Sequence, residues 1–225
     1  SNYARNMAET EPSRITGNRF DAFKCCANDA VHFKLVRQES DIRSDDNVFK
    51  PDMTHQVFGE SENIFGYRDL RVNVYCSASR MTTYVSMKYA EQIKPEDAEG
   101  VSADNVLQLL SGHLQPGFST SEDEFTAQLQ KDTSFKPYGE MIHSYTVSKG
   151  EERKFEIYKT DIEAPGFRDF HERVQPFLLF YVDAASYIDV DDEKWTFYLL
   201  FEKYQWSGSP MYAFAGYMTA YNYYA

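Results

Sequence analysis

The feature that most constrains this chain is an acidic segment that leads into a long aromatic hairpin near the C-terminus. Residues 186–195 are rich in carboxylates and end at Trp195. Residues 196–204 predict an apolar strand, residues 205–210 a turn, and residues 211–224 a second strand. An isolated pair of strands is only marginally stable in water. We therefore expect the upstream chain to form a platform for this hairpin.

Composition limits the classes of partner. The chain of 225 residues is 42% hydrophobic and 16% aromatic, so it can build a sizeable core in one large or two smaller domains. Its 17 tyrosines fit either strands or a surface that recognises peptides, and composition alone leaves both open. The net charge of −12 argues against nonspecific binding to nucleic acid and favours a basic partner such as a lysine-rich peptide.

The cysteines and the hydropathy exclude other classes. Cys25, Cys26 and Cys76 form neither a disulfide framework nor a zinc-binding spacing, which indicates a reducing compartment. No apolar run reaches the 18 residues of a membrane span. We predict no direct contact with nucleic acid or membrane.

The periodicity of the remaining chain predicts an α+β fold, with mostly antiparallel sheets and a few packed helices. Residues 1–18 are polar and aperiodic, and we expect a disordered tail there. Pro176 predicts a kink or a fresh start within the last helix. The predicted strands are residues 30–37, 70–76, 81–89, 141–147 and 155–159. The predicted helices are residues 103–113, 122–131 and 165–185. Ser102 is expected to cap the first helix, and a capping box from Ser121 to Glu124 the second.

Common catalytic and cofactor motifs are missing from the sequence. The five histidines have no metal-binding spacing, and no Gly-x-Ser-x-Gly elbow or Gly-x-Gly loop occurs. Residues 112–119 have the glycine spacing of a phosphate-binding loop, but Phe118 stands where lysine is required. The acidic residues 189–193 fit either a solvated bend or a negative rim that attracts a lysine ammonium.

Several stretches, in order along the chain, resemble one enzyme family. They are residues 32–37, 54–59, 135–139, 166–173, 186–195, 201–204 and 216–224. Together they resemble the catalytic subunit of histone acetyltransferase type B, a member of the GNAT superfamily that acetylates newly made histone H4. The resemblance implies an N-terminal domain over residues 19–134 and an incomplete GNAT catalytic domain over residues 135–225. It also implies a protein of the nucleus and cytoplasm.

The resemblance assigns substrate-binding roles to seven positions. These residues, which would meet the basic histone tail, are Glu60, Ser61, Glu62, Trp195, Tyr221, Asn222 and Tyr223. Asp183 lies where the family often has a glutamate that assists proton transfer, and its side chain is shorter. Pro176 also departs from the family pattern, on the helix that carries Asp183.

The resemblance further implies what binds outside these residues. Acetyl-CoA would be the co-substrate, with its phosphate loop and the main general base beyond Ala225, so we expect these residues alone to be inactive. Trp206, at the hairpin turn, would contact a WD-repeat histone chaperone. The alternative is a non-catalytic module that binds basic peptides; a Gly-x-Gly loop downstream in the same transcript would favour the enzyme.

Overall fold

The computed structural model describes residues 20–98, 100–114 and 116–223. The predicted tail over residues 1–18 and the last residue of the predicted final strand, Tyr224, lie outside the described residues. The fold is α+β, as predicted. The eleven strands of this described part are β1 Lys24–Cys26, β2 Val31–Val36, β3 Asn63–Phe65, β4 Tyr67–Arg68, β5 Arg71–Ser77, β6 Thr83–Lys88, β7 Glu91–Gln92, β8 Glu140–Lys149, β9 Glu151–Thr160, β10 Trp195–Trp206 and β11 Ser209–Tyr221.

The helices of the same residues are mostly short. The α-helices are α1 Ala27–Ala30, α2 His55–Phe58, α3 Val106–Ser111, α4 Glu122–Lys131, α5 Phe167–Val174 and α6 Leu178–Tyr181. Single 3-10 turns cover Asp21–Phe23, Glu39–Arg43, Pro95–Asp97, Asp132–Ser134 and Gln175–Phe177. No described helix is long and apolar enough to cross a membrane.

Two larger sheets organise the molecule. A three-stranded sheet has the order β2-β5-β6, with β2 parallel to β5 and β5 antiparallel to β6. A four-stranded antiparallel sheet has the order β11-β10-β9-β8. The small pairs β1–β3 and β4–β7 complete the described sheets. The predicted preference for antiparallel pairing is confirmed, with β2–β5 as the parallel exception.

One buried cluster joins the two sheets. It contains Val31 and Phe33 of the first sheet, Phe197 and Phe201 of the second, and helix residues such as Phe170. Apolar side chains from both predicted domains therefore share a core. The boundary between residues 19–134 and 135–225 stays a prediction.

Helix α3 begins later than predicted. Asn105, rather than Ser102, caps it, by accepting a hydrogen bond from the backbone N–H of Gln108 at 3.1 Å. The preceding residues are held against β3 and β4, because Asp104 accepts from the Phe65 backbone at 2.7 Å and its carbonyl accepts from the Tyr67 hydroxyl at 2.8 Å. This tertiary contact prevents a helical start at residue 103.

Helix α4 has the predicted bounds, but the capping box is only half formed. The Ser121 hydroxyl accepts from the Glu124 backbone at 3.3 Å, which satisfies one free N–H of the first turn. The Glu124 carboxylate does not complete the box. It accepts instead from the Ser119 hydroxyl at 2.5 Å.

The helix predicted over residues 165–185 is divided at Pro176. Helix α5 ends at Val174, a 3-10 turn covers Gln175–Phe177, and α6 ends at Tyr181. Proline has no N–H to continue the α-helical ladder, so the chain starts a new segment there. Asp183 consequently lies in a loop after α6 rather than on a helix.

The C-terminal hairpin is longer and its turn tighter than predicted. Strand pairing continues to Gln205 opposite Pro210 and Trp206 opposite Ser209. Ser207 and Gly208 alone form the turn, both with positive φ (49° and 77°), which suits the twist of a two-residue hairpin. This places Trp195 and Trp206 at opposite ends of β10, about 35 Å apart at the usual rise of a strand.

Candidate functional site

The acidic loop at residues 60–62 follows the short helix α2. Gly59 turns the chain with a φ of 84°, and Glu60 and Ser61 are exposed. Glu62 points back at the start of α2: its carboxylate accepts from the backbone N–H of Thr54 at 2.6 Å and of His55 at 3.1 Å. These bonds, that of Thr54 foremost, lower the pKa of Glu62. Glu62 therefore stabilises the loop, whereas Glu60 is free to face a ligand.

His55 connects this loop to Asp183. Its Nδ1 atom lies 3.7 Å from Oε1 of Glu62, and its Nε2 atom lies 3.3 Å from Oδ1 of Asp183. The histidine spacing predicts no metal site, and no sequence pattern predicts this bridge. Sequence spacing carried no signal for it, because the two contacting elements, α2 and the loop after α6, are far apart along the chain.

The side chain of Gln56 binds the backbone of the loop that carries Asp183. The Gln56 amide donates to the carbonyl of Ala185 at 3.0 Å and accepts from the N–H of Ala185 at 3.2 Å, across 129 positions of sequence. Two consecutive side chains of α2 thus contact the loop that carries Asp183. The Asp183 side chain itself remains 79% exposed, so it is open to a substrate.

A second group of predicted residues lies at the open end of the β10–β11 hairpin. Trp195 is paired with Tyr221, and their ring centroids are 4.9 Å apart in an edge-to-face arrangement. The Tyr221 hydroxyl donates to Asp192 at 2.9 Å. The ring of Tyr223 lies 4.7 Å from that of Tyr221, and its side chain is 87% exposed.

Asn222 ties this end of the hairpin together. Its side-chain amide donates to the carbonyl of Lys194 at 2.9 Å and to the hydroxyl of Thr196 at 3.0 Å. Its backbone N–H also donates to Lys194 at 3.0 Å. These bonds keep Trp195 and Tyr221 side by side. Asn222 therefore has a supporting place in the group, and direct contact with a substrate stays a prediction.

Some carboxylates of the acidic segment before β10 are paired with neighbouring side chains and backbone groups. Asp191 lies 2.9 Å from Arg168. The pKa of Asp192 is lowered, first by the backbone N–H of Lys194 and then by the Tyr221 hydroxyl. Asp189 and Glu193 are solvent-accessible without such cationic partners in the described ion pairs. The segment is thus a bend that presents carboxylates to solvent, and its role as a negative rim for a lysine ammonium stays a prediction.

A groove of about 630 Å³ opens beside Trp195. Four carboxylates and one ammonium give it a net negative lining, and an indole lies at its edge. The lining residues are Gly139, Glu140, Lys159, Thr160, Asp161, Glu163, Ala164, Glu193, Trp195 and Thr196. Such a groove can take a basic side chain, with the apolar stem against the indole and the charge near carboxylates.

The predicted site residues therefore form two groups and one outlier. Glu62 and Asp183 are brought together by His55, and Glu60 and Ser61 share their loop. Trp195, Tyr221, Asn222 and Tyr223 form the second group, at the other end of the segment that follows Asp183. Trp206 is 49% exposed at the hairpin turn, the end of β10 opposite Trp195. Its predicted role is separate from both groups.

Helix α4, the longest α-helix of the described residues, does not offer an N-terminus suited to the pyrophosphate of acetyl-CoA. It begins with Glu122, Asp123 and Glu124, whose charges oppose an anion there. In the same part of the chain, no three His, Cys, Asp or Glu side chains are grouped as a metal site would require.

Comparison with known proteins adds a family. Residues 23–183 match the family model described as the histone acetyl transferase HAT1 N-terminus. The chain is 42% identical over 205 residues to the histone acetyltransferase type B catalytic subunit of Mus musculus, and equally to that of Homo sapiens, covering 90% of this chain and 49% of each relative. A Dictyostelium discoideum subunit of the same description is 31% identical over 219 residues, covering 88% of this chain and 46% of that protein. The chain spans about half the length of these relatives.

Proposed function

Because this chain belongs to the family of histone acetyltransferase type B catalytic subunits, we propose that it forms the histone-tail side of such an enzyme. The substrate we propose is the N-terminal tail of newly made histone H4, and the acetyl donor is acetyl-CoA, held by residues other than the described ones. The observation that carries the proposal is the acidic groove beside Trp195, together with the half-buried ring of Tyr221 and the exposed ring of Tyr223.

The side chains of this surface fit a lysine-rich peptide. Exposed tyrosine and tryptophan rings bind lysine stems and can hold a cation by its charge. The carboxylates of Glu60 and Asp183 add negative charge at the other group, which a histone tail would neutralise. The net charge of −12 agrees with a basic substrate.

Lysine must lose a proton before its amine can attack a thioester. The support for a role of Asp183 is that its carboxylate is exposed beside His55, while Glu62 is engaged by backbone N–H groups. We propose Asp183 as an auxiliary proton acceptor only. The main base would then come from outside the described residues.

The proposal is tested by titrating this chain with a fluorescent histone H4 tail peptide and measuring anisotropy. We expect Trp195→Ala to weaken binding about tenfold and the affinity to fall with salt. Trp206→Ala is the matched control, because that indole lies at the far end of the same strand. Equal binding by wild type and Trp195→Ala would refute the groove as the peptide site.

The non-catalytic alternative shares this binding surface and differs in turnover. The alternative would be supported if the native protein containing this chain binds the peptide but transfers no acetyl group from acetyl-CoA. Measurable acetylation of the peptide, mapped by mass spectrometry, would support the enzyme. The two outcomes need no further assumption about which lysine is chosen.

We also propose that Trp206 contacts a WD-repeat histone chaperone and that the protein works in both nucleus and cytoplasm. The support for the contact is an indole 49% exposed at a tight turn, away from the peptide groove. Pull-down of the chaperone should fall with Trp206→Ala and stay unchanged with Trp195→Ala. Capture that is unaffected by Trp206→Ala would exclude this contact.

A further inference from the structure

His55 is the one imidazole of the described chain that bridges two site carboxylates, and sequence analysis gave it no role. Its Nε2 atom lies 3.3 Å from Asp183 and its Nδ1 atom 3.7 Å from Glu62. The side chain is 24% exposed, against 79% for Asp183. An imidazole held on a helix and largely covered can restrain an exposed carboxylate that would otherwise rotate freely.

We propose that His55 is the positioning residue for Asp183, fixing the carboxylate that assists deprotonation of the substrate lysine. This inference rests on the proposed function of Asp183. In this role His55 does not contact the substrate. It positions the carboxylate of Asp183, which does.

The anchoring of His55 supports this assignment. Glu62 accepts from the backbone N–H of Thr54 and of His55 itself, and also from the Asn28 amide at 2.9 Å. Asn28 in turn accepts from the hydroxyl of Thr54 at 2.6 Å. Glu62 is thus held by three hydrogen bonds, one of them from the backbone of His55, and it lies 3.7 Å from the ring of His55. The order of restraint runs from Glu62 through His55 to Asp183.

The partner loop is held at a second point, which limits how far Asp183 can move. Gln56 makes two hydrogen bonds to the backbone of Ala185, two residues after Asp183. Ala184, between them, has a φ of 52°, a left-handed conformation that a non-glycine residue adopts only under constraint. Gln56 places the loop, and His55 orients the side chain within it.

The chemistry of the bridge explains why histidine suits this position. Asp183 needs a neighbouring side chain that holds its carboxylate in place and still allows it to accept a proton. The imidazole Nε2 atom lies 3.3 Å from one carboxylate oxygen of Asp183, which leaves the second oxygen for the lysine. The permanent charge of a lysine or arginine there would stabilise the ionised carboxylate and so make it a weaker proton acceptor.

The test measures steady-state acetylation of a histone H4 tail peptide by the native protein containing this chain. We expect His55→Leu to lower kcat about tenfold with little change in KM for the peptide, since the peptide groove is untouched. His55→Gln keeps an N–H near the Nε2 position and should recover most of kcat. His143→Leu, on the exposed strand β8, is the matched control and should leave kcat unchanged.

A double-mutant cycle separates positioning from general destabilisation. His55→Leu should add no further loss of kcat to Asp183→Asn, because His55 acts only by positioning the carboxylate that Asp183→Asn already removes. Additive losses, or a loss with His55→Gln equal to that with His55→Leu, would overturn the inference. If Asp183→Asn leaves kcat unchanged, the proposed role of Asp183 fails. If only Asp183→Asn lowers kcat, that role stands and the role of His55 fails.

Discussion

The two large sheets differ in how their strands are covered. In the three-stranded sheet, the central strand β5 is buried on both faces from Val72 to Ser77. In the four-stranded sheet, β8 is exposed along almost its whole length, including Met141, Ile142 and Tyr145. The first sheet is a scaffold enclosed by core and helices. The second is packed around β10 and open at β8.

The second sheet buries carboxylates, whereas the polar side chains buried in the first include Lys34 and Asn73. Glu202 on β10 is only 6% exposed, and it pairs with Arg37 at 2.6 Å and with Arg153, whose Nε lies 3.0 Å away. Glu156 on β9 is equally buried and accepts from Lys203 at 3.1 Å and Tyr158 at 2.7 Å. The difference indicates that ion pairs help to align the second sheet. The first depends mainly on apolar contacts, and its buried Lys34 donates to the carbonyl of Ser44 at 2.6 Å.

The largest expected effect is in the first sheet. Phe33 on β2 is 1% exposed, and its ring contacts those of Phe49, Phe177 and Phe180. Phe33→Ala should lower the free energy of unfolding by about 3–5 kcal/mol, because it leaves a cavity where the sheet meets α6. Urea unfolding followed by circular dichroism measures the change. A loss below about 1 kcal/mol would contradict the enclosed scaffold.

A smaller, pH-dependent effect is expected from Glu202. The two arginines, Arg153 first, lower the pKa of Glu202 to about 2 in the folded state, below its ordinary value of 4.5. The ionised group therefore stabilises the fold above about pH 5, and this contribution is lost as the pH falls towards 2. Glu202→Gln should cost about 2 kcal/mol at pH 7, since both arginines are partly exposed.

Urea unfolding of wild type and Glu202→Gln between pH 2.5 and 7 measures this contribution. The gap in free energy should be constant above pH 5 and close towards the acid end. Glu152→Gln, an exposed carboxylate of the neighbouring strand, is the matched control and should cost almost nothing. A gap independent of pH would show that the arginine pairs do not stabilise the folded sheet.

The smallest effect is expected on the open strand. Tyr145 is 38% exposed and stacks on Phe155 with ring centroids 5.4 Å apart. Tyr145→Ala should lower the free energy of unfolding by less than about 1 kcal/mol, because only a cross-strand ring pair is lost. The same urea titration measures it. A loss comparable to that of Phe33→Ala would mean that β8 is covered in solution.

Much of the fold followed from local patterns. The helix at residues 122–131 has its predicted bounds because Ser121 caps it by a contact within four residues. The β5–β6 pair and the long C-terminal hairpin were also predicted, since alternation and a short turn specify antiparallel neighbours. The parallel pairing of β2 with β5 was not, because it depends on a connection of more than thirty residues that carries no periodic signal.

One part of the candidate site followed from the predicted hairpin, and another part came only from the family resemblance. Trp195 and Tyr221 are neighbours because the hairpin register pairs them, and the sequence already indicated that hairpin. Glu62, Ser61 and Glu60 came only from the family resemblance. His55 was missed altogether, since Asp183 lies far from it along the chain and no local pattern links the two.

The sequence by itself determined the acidic aromatic hairpin, its strands and the fold class, because strand alternation and turn residues act over a few positions. Only the tertiary structure decided what surrounds the hairpin. It directed Glu62 inward to backbone N–H groups, left Asp183 exposed, and set His55 between them. Those outcomes depend on packing α2 against the loop after α6, and contacts across 129 positions leave no trace in local periodicity.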